Sequence, residues 1–234
     1  MSVSIPPAPL GPVDVLVLAT HPAQFGSLGR HLGPALAGTV GQVRVVCKTV
    51  GVGQTVAAAA TTKRLVQLDP RAVVLLGTGR LYPERAGWQP GQVAVLNGAV
   101  LWSLAVSEGK AAFPDPMRQR AEVDGPLSRC LHELGGPGVG AATVASPDAP
   151  TKDQALALRI ARETGADLEH PEAFSVLACC NLFQVPVAAV LGTEAAPSAP
   201  AADPSHARAA AAAASEHVAA WLHRGAPGIP HVGR

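Results

Sequence analysis

Residues 167–197, DLEHPEAFSVLACCNLFQVPVAAVLGTEAAP, restrict this chain more than any other stretch. Residues 172–180 read E-A-F-S-V-L-A-C-C, almost wholly small or apolar and free of Pro and Gly, which predicts a buried helix. Residues 185–191, VPVAAVL, have the length and unbroken apolar character of a strand covered on both faces. A short turn joins the two. Glu172 stands at the helix entrance, where the helix dipole favours a carboxylate. It is placed either to accept hydroxyl hydrogen bonds or to serve only its helix. Glu194 follows the strand's carboxyl end, and ligands of open α/β sheets bind just outside such ends.

The rest of the chain alternates in the same way. Residues 13–20 read as a first strand, followed by a helix from Pro22 to about residue 33 with Thr20 as its cap. Residues 43–49 make a second strand, 55–68 a small-faced helix, and 72–76 a third strand ending at Gly77-Thr78-Gly79. Strand, helix, strand, helix, strand predicts a largely parallel α/β sheet. Residues 93–106 then suggest two strands broken near Asn97-Gly98, and 108–125 a long irregular segment. A short helix at 126–135, a strand at 139–145 and a polar amphipathic helix at 151–165 lead into the unit described first. After it, 195–204 reads as an Ala/Pro loop of lid type, and Asp203-Pro204-Ser205 starts a final Ala-rich helix to about residue 223. One domain, 13–223, is expected between a Pro-rich arm at 1–12 and a loose tail at 224–234.

Composition narrows the function. A formal net charge of +1 with no Lys/Arg cluster argues against nucleic acid as partner. No apolar run reaches the roughly 18 residues of a membrane span, and no basic region precedes an apolar segment at the N-terminus, so a cytoplasmic protein is expected. Charged residues are only 15%, below the usual quarter, which suggests that another subunit covers part of the surface. Cys47, Cys130, Cys179 and Cys180 lack C-x-x-C spacing and read as buried thiols. The eight histidines show no H-x-x-x-H or H-E-x-x-H spacing, so neither metal nor cofactor is expected.

Three turns attract attention. Gly51-Val52-Gly53 lacks the third glycine of a dinucleotide fingerprint and the Lys of a P-loop, and reads better as a tight turn than as a phosphate loop. Gly77-Thr78-Gly79-Arg80 combines backbone amides, a hydroxyl and a guanidinium where an anion or sugar oxygen fits, against the plainer reading of a turn with an exposed Arg. Ser146-Pro147-Asp148 opens from another strand end, with Asp148 alternatively a helix cap. No G-x-S-x-G elbow supports a hydrolase triad.

With GVG, GTG and E-A-F…VPVAAVLGTE in this order, the chain resembles the nucleoside phosphorylase/nucleosidase superfamily, nearest to methylthioadenosine/S-adenosylhomocysteine nucleosidase and futalosine hydrolase. The similarity spans about 13–223 and is best at 50–61 (VGVGQTVAAAAT), 73–79, 87–95 (GWQPGQVAV) and 172–186. It implies a three-layer α/β/α fold around a central twisted mixed sheet. It also implies cleavage of the N-glycosidic bond of a purine-like or modified nucleoside, by water or by phosphate, in a homo-oligomer. Glu172 falls on the family's ribose-binding glutamate, Thr78 on its Ser of G-S-A-G, and His170 on the first acid of its E-M-E stretch.

Three positions depart from the pattern. The S-D pair that supplies the base-protonating Asp becomes Glu194-Ala195, so Glu194 either takes over that role or the acid is lost. The water-activating Glu of the hydrolases is Gln24, which positions a water but takes no proton. The base-stacking Phe is Pro150, with Phe174 and Tyr82 as the aromatics that compensate. Arg80 is the candidate phosphate cation. Alternatives are a lapsed member that binds a nucleoside-like ligand or a partner, and a different reaction on the same scaffold.

Overall fold

The computed structural model describes residues 12–84, 87–136, 138–195 and 204–230. The expected arm at 1–12, except its last residue, and the lid loop, except at its ends, lie outside the described residues.

In chain order the elements are β1 (Val15–Ala19), a 3₁₀ turn (Pro22–Phe25), α1 (Gly26–Leu32), β2 (Ala37–Val40), β3 (Val43–Thr49) and α2 (Gln54–Leu68). Then come β4 (Ala72–Leu81), β5 (Val93–Trp102), α3 (Leu104–Ser107), β6 (Arg120–Glu122), α4 (Gly125–Glu133), β7 (Val139–Pro147) and α5 (Gln154–Thr164). The chain closes with β8 (Leu168–Glu169), α6 (Ala173–Leu182), β9 (Val187–Glu194) and α7 (Pro204–His223).

Alternation along β1 shows why the sheet needs helices on both sides. Val15, Val17 and Ala19 enter one core with Leu28 of α1, Leu127 and Leu131 of α4 and Val218 and Trp221 of α7. Leu16 and Leu18 enter the other, with Ala57 and Leu65 of α2 and Val176 and Leu177 of α6. A smaller cluster joins Tyr82, Trp102 and Ala145 to Ala157 and Ile160 of α5. The result is the expected α/β/α architecture around one mixed sheet.

Strand order is β2-β3-β1-β4-β8-β7-β5-β6, with β9 pairing both β4 and β5. Pairings therefore close into a ring: β4 with β9 in parallel, β9 with β5 antiparallel, β5 with β7 and β7 with β8 in parallel, and β8 back to β4 antiparallel. α7 lies directly on this ring. A Cβ on Gly192 would fall 1.9 Å from the Ala210 carbonyl oxygen, so only glycine admits that approach.

Several expectations are corrected. The chain does not turn at Gly77-Thr78-Gly79-Arg80: β4 runs on to Leu81 and pairs these four residues with Leu191, Gly192, Thr193 and Glu194. Asn97-Gly98 does not break a strand but marks a bulge in the single strand β5. The first cap is His21 rather than Thr20. Its Nδ1 accepts from the Ala23 N–H while Gln24 reaches back to the His21 N–H. Nor is the tail loose through residue 230: Ala226 is buried, the Trp221 indole donates to the Pro227 carbonyl, and Arg71 donates to that of Pro230. All four cysteines are free thiols, Cys47 and Cys180 buried and the other two half-buried. Among the described residues, no helix is long and apolar enough to cross a membrane.

Candidate functional site

The carboxyl ends of the mutually parallel strands β1, β3, β4 and β9 lie on one side of the sheet, and the end of β7, which runs against β4 and β9, meets them through the Ser146–His170 bond. β3 gives way to Gly51-Val52-Gly53, in which Gly53 has φ +93° and precedes α2. Its N–H donates to Glu172 Oε1 at 2.8 Å. Glu172 is the capping residue of α6, yet its carboxylate makes no cap bond to that helix. It serves the entrance of α2 instead, so the plainer reading, a glutamate that only starts its own helix, does not describe it.

His170 sits beside it. Its backbone is fixed at both groups: the N–H donates to the Ala145 carbonyl, and the carbonyl accepts from the Ser146 hydroxyl at 2.7 Å and from the Ala173 N–H. The imidazole is almost completely buried, with Nδ1 3.4 Å from Glu172 Oε2. Its Nε2 faces β4: a Cβ on Gly77 would lie 3.2 Å from it and 3.4 Å from Gln24 Nε2. Burial pushes the His170 pKa down, while the charges of Glu172, Glu194 and Glu169 pull it up; burial prevails.

Gln24 arrives from the 3₁₀ turn after β1. Its Oε1 accepts from the Thr20 N–H (3.0 Å), the Thr20 hydroxyl (2.8 Å) and the His21 N–H (3.1 Å). Two of these donors are backbone amides, so the orientation of the side-chain amide is fixed: the oxygen points at the turn and the NH₂ at Gly77.

The structure brings together Gln24, His170 and Glu172. Glu194 joins them electrostatically, as the half-buried last residue of β9 whose charge bears on the same imidazole. Thr78 is half-buried in β4, opposite Gly192. The remaining candidates behave differently from expectation. Ser146 is enclosed, and its hydroxyl is engaged by donating to His170 O and accepting from the Phe174 N–H at 3.0 Å. It clips two segments together and offers no free hydroxyl. Phe174 packs half-buried against the α2/α6 core, and Pro150 is exposed.

Arg80 is already engaged within the protein. Its guanidinium pairs with the fully buried Glu169 side chain and donates to the Thr151 carbonyl, while its backbone belongs to the β4–β9 ladder. Glu169 also accepts from the Thr151 N–H (3.0 Å) and the Tyr82 hydroxyl (3.3 Å). Burial first, and Glu169 second, push the Tyr82 pKa up, so the ring is a neutral donor held in the core rather than a stacking surface. The sequence reading missed Glu169, Thr151 and the Gly53 N–H. A glycine inside a strand pattern signals close approach, and Gly77 carried that signal.

A buried carboxylate–imidazole pair beneath a glycine of the internal strand β4 marks the candidate site of this α/β fold. The chain belongs to the phosphorylase superfamily, whose model it matches over residues 13–224. Among solved structures it is similar to 5′-methylthioadenosine/S-adenosylhomocysteine nucleosidase from Helicobacter pylori with butyl-thio-DADMe-Immucillin-A, at 12% identity and TM-score 0.81, covering 91% of this chain and 99% of that one. It is similar also to the Neisseria meningitidis nucleosidase in complex with methylthio-immucillin-A, at 17% identity and TM-score 0.78, covering 90% and 99%. Futalosine hydrolase of H. pylori matches at 13% identity and TM-score 0.77, covering 88% and 95%. A sequence search of curated proteins gave no match.

Proposed function

We propose that this chain hydrolyses the N-glycosidic bond of a purine-like or modified nucleoside. The observation that carries the reading is the buried Glu172 carboxylate at the strand ends, held by the Gly53 N–H and flanked by His170, in a chain of this superfamily. Cleavage of such a bond builds positive charge on the sugar. A preorganised carboxylate in a water-poor site stabilises that charge and accepts the sugar hydroxyls. This reading assigns Glu194, the last residue of β9, to the departing base.

Water is favoured over phosphate as the nucleophile. Arg80, the cation that the sequence suggested for phosphate, is committed to Glu169 and Thr151. The relatives crystallised with nucleoside analogues support the ligand class. The low charge content supports a homo-oligomer, and nothing in the composition calls for a cofactor.

The test is incubation with a panel of nucleosides that includes 5′-methylthioadenosine, with and without phosphate, followed by chromatography of the free base. Base release that is independent of phosphate is the expected result. No release from any member overturns the reading. A rise in melting temperature with those same nucleosides would then assign the chain to binding without cleavage.

A further inference from the structure

We propose that His170 is the general base of this reaction, accepting through Nε2 the proton of a water that the Gln24 amide holds, with Glu172 fixing the imidazole's tautomer. The proposal rests on the glycosidic-hydrolysis reading above and names the group that performs its proton transfer.

Gln24 cannot be that group. Its carbonyl oxygen already accepts three hydrogen bonds, and its free end is an NH₂, a donor only. His170 supplies the missing acceptor. Its Nε2 and the Gln24 Nε2 both approach Gly77, 3.2 Å and 3.4 Å from where a Cβ would stand, so the two nitrogens converge on a residue of β4 that carries no side chain. A donor and an acceptor aimed at one place suit a single water: its oxygen accepts from the amide and one of its hydrogens points at the imidazole.

The tautomer follows from the other side of the ring. Nδ1 is buried and has no hydrogen-bond partner within ordinary geometry; Glu172 Oε2 stands 3.4 Å away. A carboxylate at Nδ1 places the proton there and leaves the lone pair on Nε2. Hydrogen bonds of catalytic groups are often long until substrate closes the site. Three carboxylates favour the imidazolium once it forms: Glu172 from the entrance of α6, Glu194 from β9 and Glu169 from β8. Arg80 of β4 offsets the last of these. Burial keeps the ring neutral beforehand, as a base requires.

The step balances without a further reagent. The water oxygen bonds to the anomeric carbon, and the carbon–nitrogen bond breaks with its electron pair left on the base. The water proton passes to His170 Nε2. The departing base nitrogen takes up a proton on its own face, by way of Glu194, and His170 releases the water proton to solvent, restoring the neutral ring.

Two measurements on the full chain decide. Turnover of the best substrate of the panel by wild type and His170→Gln should show kcat lowered about 10²-fold or more with KM little changed. The wild-type acid limb of kcat/KM should be absent from the variant. Nitrogen-15 spectra of the histidine-labelled wild type at pH 7 should show Nδ1 protonated and Nε2 bare. Wild type that releases base while His170→Gln keeps its kcat and acid limb overturns the proposal and leaves the hydrolytic reading standing. Wild type that releases none overturns both. A spectrum with the proton on Nε2 overturns the proposal even if the variant does not fold.

Discussion

Glu169 and Glu172 are three residues apart, both buried, and their surroundings are opposite. Glu169 is saturated: a guanidinium, a backbone N–H and a phenol fill its two oxygens, and its side chain is 0% exposed. Glu172 has one firm bond, from Gly53, and a second oxygen facing an imidazole at 3.4 Å. A carboxylate whose acceptor positions are all taken holds structure together. One that keeps free capacity beside a titratable ring is available for chemistry. The cluster around Glu169 ties β4, β8 and the Thr151 loop into one piece, and the pair around Glu172 stands on that support.

The largest effect expected from this contrast is a crossed pair of substitutions. Glu172→Gln should lower turnover about 10² to 10³-fold. Its loss of stability should stay near ~1 kcal/mol, because one backbone bond is weakened and no charge is stranded. Glu169→Gln should do the reverse, losing about 3 kcal/mol in urea denaturation, since it leaves Arg80 without its buried counter-charge. Equal stability losses for the two would dissolve the distinction.

A smaller effect tests the approach of both side chains to Gly77. Gly77→Ala brings a methyl group to 3.2 Å from His170 Nε2 and 3.4 Å from Gln24 Nε2, tight enough that both must give way. Turnover should drop about tenfold to a hundredfold through misplacement of the reacting groups. The melting temperature should change little, because Gly77 sits in ordinary strand backbone. A variant as active as wild type would show that nothing reacts above that residue.

The smallest effect is on pH. Burial, the leading cause, depresses the folded-state pKa of His170 below its ordinary 6.5. Between that lowered value and 6.5 the unfolded chain binds a proton that the folded chain does not. Stability therefore rises with pH through this window and is lost as pH falls from 6.5 toward the folded pKa. His217 shifts in the same direction, again mainly by burial, so wild type must be compared with His170→Gln to isolate one ring. Denaturant midpoints at pH 5 to 8 should show a shallower slope in the variant.

Much of the framework was readable because periodicity and turn chemistry agree. β1, β3, α2, β7, α5, α6 and α7 fall within a few residues of where the pattern puts them. The two-residue strand β8 and the three-residue β6 carry no pattern long enough to read, and they exist because β4 and β5 have partners to offer. β4 itself was cut short at Gly77. Glycines punctuate a sequence as turns do, but here Gly77 and Gly79 admit His170, Leu168 and Leu191 at close range. In the site, Gln24, His170 and Glu172 were reachable through the family resemblance. The Arg80–Glu169 pair was not. Nothing local in either residue's neighbourhood announces that the fold will press them together across 89 positions.

The ring of pairings through β9 and β8 has a consequence for how the molecule behaves in a crowd. It occupies the hydrogen-bonding edges of its five members and leaves β2 and β6 as the sheet's terminal strands. β6 is three residues long with exposed Arg120 and Glu122, and β2 is only four. Rims this short, one of them bearing charge, offer little template for a neighbouring chain to add a strand, so concentrated or partly heated protein should resist fibrous stacking.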